Sequence, residues 1–239
     1  MHGEAFYAKV KASRRGTTLR YRSAFDIIGP AMVGPSSSHT AGPNRVGQIV
    51  RQLAGAMPTQ VQVSFFNSFA KTYLGHRTDR AVVGGLLGLR TDDPRNRDAL
   101  ALASAAGMNV LIATGTLDGV HPNCMRVEVR GSCDPVDALA MSIGGGRIEI
   151  IEIDGYSVRL SGEYPTLVLR HIDRIGVVQT LGSILARAGV NVSHMEIDRR
   201  YRGGEAIAVV ELDQTVAPAV LDDLRRTLPL LNVKQLEAV

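Results

Sequence analysis

Residues 166–199 read TLVLRHIDRIGVVQTLGSILARAGVNVSHMEIDR, and this stretch decides the fold of the C-terminal third of the chain. The apolar run Leu167–His171 predicts a strand. Apolar residues at helical spacing then predict a helix over Val177–Ala188, which Gly189 ends. Val190–Ile197 predicts a second strand.

The remaining residues continue the same unit. After a turn at Arg202-Gly203-Gly204, the pattern predicts a strand over Glu205–Leu212, a helix over Pro218–Leu228 and a strand over Val233–Ala238. The resulting order, βαββαβ, is that of the ferredoxin-like split unit. We therefore predict a ferredoxin-like C-terminal domain.

A break in the pattern separates this unit from what precedes it. Ser161–Pro165 carries Gly and Pro between periodic segments, so we expect a domain boundary there, with domains at 21–163 and 164–239. Just before it, Arg147–Ile153 and Tyr156–Leu160 flank Asp154-Gly155, a dipeptide typical of a two-residue hairpin turn.

The N-terminal domain alternates predicted helices and strands. Apolar spacing predicts the helices Pro43–Ala56, Thr78–Leu89 and Asp98–Ala106, and the strands Gln60–Phe66, Val110–Ala113 and Met125–Arg130. Thr78 or Asp79 is the expected cap of the second helix. The predicted fold class is α+β, with an α/β N-terminal domain and an antiparallel C-terminal one.

Composition excludes several classes of protein. The 239 residues are 45% hydrophobic and 21% charged, which is ordinary for a globular protein and excludes collagen, coiled coil and disorder. We expect no membrane-spanning segment and no secretory signal. Two cysteines, Cys124 and Cys133, make no disulfide framework, so a reducing cytoplasm is the expected compartment.

The positive net charge of +4 belongs to the N-terminus. Residues 1–22 contain six bases and one acid, or +5, which leaves −1 for the rest of the chain. A nucleic-acid surface would place bases on a folded face among aromatic residues, but aromatic residues are 5% and Trp is absent. We expect no nucleic-acid partner, and interpret residues 1–20 as a disordered tail or a start-site artefact.

The first candidate site is a hydroxyl-rich segment before a predicted helix. Ser36, Ser37, Ser38 and Thr40 surround His39 between two Gly-Pro pairs. Free N–H groups at a helix start and hydroxyl groups bind anions, and a histidine can move a proton near neutral pH. The alternative is an elaborate N-cap, which needs one such hydroxyl.

The second candidate lies between a predicted strand and a predicted helix, and the third precedes the predicted hairpin. Lys71–Asp79 predicts a loop in which Gly75, beside His76, permits close backbone approach. Thr78 and Asp79 bind substrate or simply cap the next helix. Ser142–Gly146 offers the amides of Gly144, Gly145 and Gly146 to a ligand, or serves as a bent linker. It matches neither a Walker loop nor a dinucleotide loop.

Other chemistry has little support. Cys124 and Cys133 lack the CxxC spacing of a metal site, and no GxSxG elbow is present for a serine hydrolase. We expect no metal ligands on this chain.

The motifs together resemble those of a known family. Tyr21–Pro30, Ser36–Gly42, Gly75–Asp79 and Ser142–Gly146 resemble the β chain of iron–sulfur L-serine dehydratase, over about Tyr21–Val239. The resemblance implies a first domain related to the allosteric substrate-binding domain of some phosphoglycerate dehydrogenases. It also implies a C-terminal ACT domain, which agrees with the βαββαβ order.

The resemblance implies a lyase of amino-acid metabolism that supplies gluconeogenesis, converting L-serine to pyruvate and ammonia. The family's 4Fe–4S cluster acts as a Lewis acid on the substrate hydroxyl, and such a cluster needs at least three cysteines. Because this chain has two, the cluster is expected on a separate α subunit. His39 and His76 are the expected catalytic residues, and either is a candidate general base.

The ACT resemblance implies a second ligand site, for a small amino acid between two paired domains. The corresponding residues are His171, Asp173, Ile175, Gly176 and Asn191. A homodimer through this domain is therefore expected. The rival interpretation is a stand-alone amino-acid sensor, in which both domains bind ligand and neither performs chemistry.

Overall fold

A computed structural model of the chain describes residues 29–239. The predicted tail, residues 1–20, and the segment 21–28 lie outside the described residues. None of the helices within the described part is long and apolar enough to cross a membrane.

The described residues form six α-helices and ten strands. The helices are α1 (Gly42–Ala54), α2 (Ser68–His76), α3 (Thr78–Leu86), α4 (Ala99–Ala105), α5 (Val177–Arg187) and α6 (Pro218–Thr227). The strands are β1 (Gln60–Asn67), β2 (Asn109–Gly115), β3 (Asn123–Arg130), β4 (Val136–Gly144), β5 (Arg147–Ile153), β6 (Tyr156–Leu160), β7 (Thr166–Ile172), β8 (Val192–Arg199), β9 (Glu205–Leu212) and β10 (Leu230–Leu236). A π-helical turn, Ser37–Ala41, leads into α1, and a 3₁₀ turn, Pro94–Asp98, precedes α4.

The strands make two sheets. The first has the order β2-β1-β3-β4-β5-β6, with β1 and β2 parallel and the other pairs antiparallel. The second has the order β10-β7-β9-β8 and is antiparallel throughout. The α+β class and the βαββαβ order of the C-terminal unit are thus confirmed. The exact domain limits, 21–163 and 164–239, stay a prediction.

Two predicted loops are wrong. The segment Lys71–Asp79 is helical, because α2 continues to His76 and α3 begins at Thr78. Ser142 belongs to β4, a strand that the sequence pattern did not indicate, and this strand ends at Gly144.

The Asp154-Gly155 hairpin is confirmed in detail. It joins β5 to β6, and both turn residues have positive φ, 51° for Asp154 and 81° for Gly155. Positive φ at both positions is the signature of a type I′ turn, whose twist matches that of the flanking strands.

The second sheet is apolar on both faces. Leu167 and Leu169 point to α5 and α6, whereas Val168, between them, packs into the core of the first domain. Ile207 and Val209 of β9 join Val168 on that side. The helix-free face of the C-terminal sheet is therefore covered by the N-terminal domain, and the two domains share one apolar core.

Helices α1 and α3 meet at backbone contact. A Cβ on Gly47 would overlap the carbonyl oxygen of Val82, and a Cβ on Gly85 would overlap that of Asn44. The buried Asn44 amide donates to the Ala81 carbonyl (3.2 Å) and to Asn96 Oδ1 (3.2 Å). Glycine is required at both crossing positions because the neighbouring atoms are main chain and cannot rotate away.

This crossing yields a stability prediction. Gly47→Ala or Gly85→Ala should lower the free energy of unfolding by about 1–3 kcal/mol, because the added methyl group forces the helices apart. Gly182→Ala in α5 is the matched control, since a Cβ there meets nothing within 4 Å. Alanine should be neutral or stabilising there by up to about 1 kcal/mol. Urea unfolding followed by circular dichroism measures all three, and equal midpoints would contradict the close crossing.

Candidate active site

A capped π-helical turn holds the first histidine. Ser36 stands at the N-cap with extended backbone, and its Oγ accepts the N–H of His39 at 3.3 Å. His39 Nδ1 lies 3.0 Å from Ser38 Oγ and 3.4 Å from Ser36 Oγ. The N-cap interpretation of Ser36 is correct, and the same serine also orients the imidazole. Both hydroxyls lie at Nδ1, so Nε2 is the ring nitrogen that takes part in neither contact.

The second histidine is the last residue of α2. His76 Nδ1–H donates to the carbonyl oxygen of Thr72 one turn earlier, at 3.2 Å. A carbonyl oxygen can only accept, so this bond places the proton on Nδ1 of the neutral ring and leaves a lone pair on Nε2. Arg77 then takes a left-handed conformation, φ 57°, which turns the chain into α3.

The two histidines lie against each other. Their ring centroids are 4.5 Å apart with an interplanar angle of 34°. Phe69, fully buried on α2, meets the His39 ring edge-on at 5.1 Å. Burial, and secondarily the charge of His76, lowers the pKa of His39. The lowered pKa favours the neutral form of the His39 imidazole.

The predicted substrate residues Thr78 and Asp79 do not cap α3 through their side chains. Arg77 is the N-cap, and within the described part of the chain no side chain completes it. The hydroxyls of Thr40 and Thr78 are instead buried without a hydrogen-bond partner among residues 29–239. Buried hydroxyls are normally satisfied, so these two are free to meet a ligand or water. Asp79 is buried in the first turn of α3.

Gly75 is not pressed against another part of the described chain, because a Cβ added there would meet no atom within 4 Å other than its chain neighbours. The close backbone approach expected at Gly75 stays a prediction.

The glycine cluster is a hairpin turn beside the first histidine. Gly144 ends β4, and Gly145 and Gly146, both with positive φ, connect to β5. The Gly146 carbonyl accepts a 2.9 Å bond from Arg45 of α1. Gly29 lies between this turn and Ser37, because a Cβ on Gly29 would sit 2.8 Å from Ser37 Cβ and 3.8 Å from the Gly145 oxygen.

A basic cavity, lined by the chain neighbours of the two histidines but by neither imidazole, was missed from the sequence. Its volume is about 680 Å³, and Thr40 and Gly75 form part of its wall. Arg77, Arg80 and Arg97 also line it, and none of its lining residues is acidic. Such a cavity suits an anion. The signal that could have indicated it is the arginine pair 77 and 80, three residues apart at a helix start.

The predicted effector residues do not form one site within a chain. His171 is buried at the end of β7, where its Nδ1–H donates to the Ile172 carbonyl at 3.0 Å. Asp173 accepts bonds from Arg199 (2.6 Å) and from the N–H of Gly203 (3.1 Å). These two hydrogen bonds, that of Gly203 foremost, lower the pKa of Asp173.

The rest of the predicted effector set is divided between the two ends of the sheet. Ile175 is fully exposed, and Gly176, with φ 91°, is the N-cap of α5. Asn191 precedes β8 at the opposite end of the sheet and donates to Asp213 at 2.8 Å. The two ends can therefore meet only across two copies of the domain.

An iron–sulfur cluster does not fit the cysteines of this chain. Cys124 is buried near the start of β3, and Cys133 lies beyond its other end. Most of the strand, roughly 20 Å at 3.3 Å per residue, separates them. Residues 29–239 also contain no group of three or more His, Cys, Asp or Glu side chains arranged for a metal ion.

Comparison with known proteins agrees with this architecture. The family model for the serine dehydratase beta chain matches residues 23–106, and that for the ACT domain matches residues 166–228. A probable L-serine dehydratase beta chain of Bacillus subtilis is 40% identical over 218 residues, covering 91% of this chain and 99% of that protein.

This chain belongs to the serine dehydratase beta chain family. A second member, the L-serine dehydratase beta chain of Peptoniphilus asaccharolyticus, is 34% identical over 83% of this chain and 90% of its own. D-3-phosphoglycerate dehydrogenase of Bacillus subtilis is 25% identical over 81% of this chain and 37% of its own. That match agrees with the relation expected for the first domain.

The contact between the histidines yields a titration prediction. His76→Gln should raise the pKa of His39 toward 6.5 without reaching it, because burial, the larger cause of the lowered pKa, remains. Imidazole NMR signals followed against pH measure the midpoint. His194→Gln, in the C-terminal domain, is the matched control and should leave it unchanged. An identical midpoint in His76→Gln would contradict the pairing.

The lowered pKa of His39 also determines how the stability of the protein changes with pH. Between the lowered pKa of folded His39 and the ordinary 6.5, the unfolded state binds more protons. The contribution of His39 to stability is therefore present above 6.5 and is lost as the pH falls through that range.

Proposed function

We propose that this chain is the β subunit of an L-serine dehydratase, an L-serine ammonia-lyase that acts together with a separate α subunit. The observation that carries the proposal is the His39–His76 pair, two imidazoles 4.5 Å apart beside a hydroxyl-rich turn and a basic cavity. Family membership supports it, because two relatives bear the name L-serine dehydratase beta chain.

His76 is the general base in this proposal. Its Nδ1–H is engaged by Thr72, so Nε2 is the atom that takes the proton from the substrate Cα. The electron pair of that C–H bond forms the Cα–Cβ double bond as hydroxide leaves Cβ, and the resulting aminoacrylate hydrolyses to pyruvate and ammonia. His39, whose lowered pKa favours the neutral ring, is the second imidazole of the pair.

The substrate carboxylate is assigned to the turn before α1. Ser36, Ser37, Ser38 and Thr40 supply hydroxyls there, and the helix start favours an anion. The unpaired Thr78 hydroxyl, Asp79 and the Gly144–Gly146 turn border the same region.

The 4Fe–4S cluster is proposed to reside on the α subunit, because the two cysteines of this chain lie at opposite ends of β3. Such a cluster supplies a Lewis acid for the leaving hydroxyl, and we assign no step of it to this chain. The cytoplasm, which keeps cysteines reduced, is the proposed compartment.

The catalytic assignment predicts the behaviour of two variants. His39→Gln and His76→Gln should each lower the turnover of the complex with the α subunit by about 10²–10⁴-fold, the typical contribution of general acid–base catalysis. His76→Gln should also remove the acidic limb of the kcat/KM profile, since that limb reports the base. Deamination of L-serine to pyruvate, assayed anaerobically against pH, provides the measurement.

His194→Gln is the control for these variants and should retain wild-type turnover. Rates within about threefold of wild type for both site variants would make the histidines structural. Affinity purification of the tagged chain tests the two-chain arrangement. We expect a cysteine-containing partner to co-purify with it. A chain that binds L-serine but captures no such partner would favour the sensor instead.

A second proposal concerns the ACT domain. We infer that two copies pair so that the 171–176 loop of one chain faces Asn191 of the other and that a small amino acid such as L-serine binds between them. The separation of these residues within one chain supports pairing, and the polar groups of Asp173 and Asn191 suit a zwitterion.

If the ACT domains pair in this way, the mass of the protein in solution should depend on L-serine. L-Serine should strengthen the dimer by linkage, and Asn191→Ala should abolish that effect. Asn109→Ala, at the exposed start of β2, is the matched control. The full chain should be used, because its two domains share a core. Sedimentation equilibrium with and without L-serine gives the masses. A wild-type mass that does not change when L-serine is added would contradict the proposed pairing.

A further inference from the structure

A cavity lies between the two domains, away from the histidine pair. Its volume is about 440 Å³, within the usual range of about 300–1,000 Å³ for small-molecule sites. Part of its wall is the helix-free face of the C-terminal sheet, and the rest belongs to the N-terminal domain. It is separate from Asn191, which lies at the start of β8 and does not line it.

Part of the cavity wall is aliphatic. Val168 and Ile207 line it from the C-terminal sheet, and Leu53, Val136 and Ile153 line it from the N-terminal domain. All five are buried and belong to the shared core. A ligand that fills the space must therefore carry an aliphatic body.

Two groups of ion pairs stand on the cavity wall, and each group includes one pair that joins the two domains. Lys234 of β10 meets Asp134 at 2.6 Å. Arg170 of β7 lies 3.7 Å from Asp154 and 2.8 Å from Glu205. Each group thus presents a cation and a carboxylate to the same space.

The Arg170 group is the better of the two for a ligand. Burial raises the pKa of the Asp154 carboxyl, although the Asp137 N–H, which donates to its Oδ1 at 3.0 Å, and the charges of Arg170 and Arg200 oppose the rise. Its Oδ2 has the long 3.7 Å contact to Arg170. A ligand ammonium ion would therefore find there a carboxylate that the protein compensates incompletely, beside a guanidinium able to bind a carboxylate.

We propose that this cavity binds a free α-amino acid with an aliphatic side chain. The ammonium group faces Asp154 and Glu205, the carboxylate faces Arg170, and the side chain lies on the aliphatic walls. A zwitterion satisfies both signs of charge at once, whereas an aliphatic acid or amine leaves one sign without a partner. The hydroxymethyl group of serine would make little use of these walls, so serine should bind less well.

Calorimetric titration of the full chain tests the proposal. L-Leucine, L-isoleucine or L-valine should bind saturably, and 4-methylpentanoate and isoamylamine, which each lack one charge, should bind at least about tenfold more weakly. Arg170→Gln should weaken binding by at least about tenfold as well. Arg187→Gln, whose ion pair with Asp223 lies on the helical side, is the matched control and should bind as wild type does.

Asn191→Ala should also retain binding, which separates this cavity from the proposed pairing site. Absence of saturable binding with a Kd below about 10 mM for all three amino acids would overturn the proposal. So would unchanged affinity in Arg170→Gln, or loss of binding in Asn191→Ala. Turnover is not needed for any of these measurements, so the result is independent of the proposed catalytic role.

A fluorescent variant keeps the test decisive if Arg170→Gln fails to fold. The chain has no Trp, and Leu231, 52% exposed, lies on the cavity wall. Leu231→Trp should change its emission on addition of the amino acid, with the midpoint found by calorimetry. Leu111→Trp, at a strand leucine 59% exposed in the other domain, should not respond. Equal responses from both variants would contradict binding in this cavity.

Discussion

The contact between the backbones of α1 and α3 is the constraint on which the histidine pair depends. His39 sits in the turn that leads into α1, and His76 ends α2 immediately before α3. Because the backbones are in contact at Gly47 and Gly85, the starts of the two helices are held in a fixed position relative to each other. The buried Asn44 amide, bonded to α3 and to Asn96, fixes the register of the crossing. The 4.5 Å separation of the imidazoles is thus a consequence of helix packing.

Much of the fold could be predicted because most elements have one buried face. Amphipathic spacing located α1, α3, α5 and α6, and the Asp154-Gly155 dipeptide located its hairpin, since only a few residues tolerate positive φ at both turn positions. Strand β4 lacks that signal because it is buried on both faces. Ala138 and Ala140 pack in the main core, while Leu139 and Met141 form a separate cluster on the other face. Helix α2 has one fully buried residue, Phe69, and therefore shows almost no apolar period.

The candidate site could be predicted from the sequence only in part. A histidine among four hydroxyls is a local motif, so residues 36–40 could be proposed from the sequence, and His76 from its place beside Gly75 before a predicted helix. The basic cavity could not, because Arg97 reaches it from the 3₁₀ turn, which meets α3 only in the folded chain. The sequence also could not show which ring nitrogen of His76 carries the proton. The position of that proton follows from the Thr72 carbonyl four residues earlier, a partner that exists because the segment is helical and not the predicted loop.

The C-terminal domain supports the same helix from its other end. Lys234 donates to the carbonyl of Leu53 in the last turn of α1. A cation at the C-terminal end of a helix also interacts favourably with the helix dipole. Gln52, beside Leu53, exchanges two hydrogen bonds with the backbone of Glu237. Helix α1, about 20 Å long at 1.5 Å per residue, therefore spans from the His39 turn to the last strand of the chain. Without β10, the Leu53 carbonyl would lose the Lys234 ammonium group, and the shared core around Val168 and Ile207 would be open to water. The ACT domain is in this sense part of the scaffold of the histidine pair.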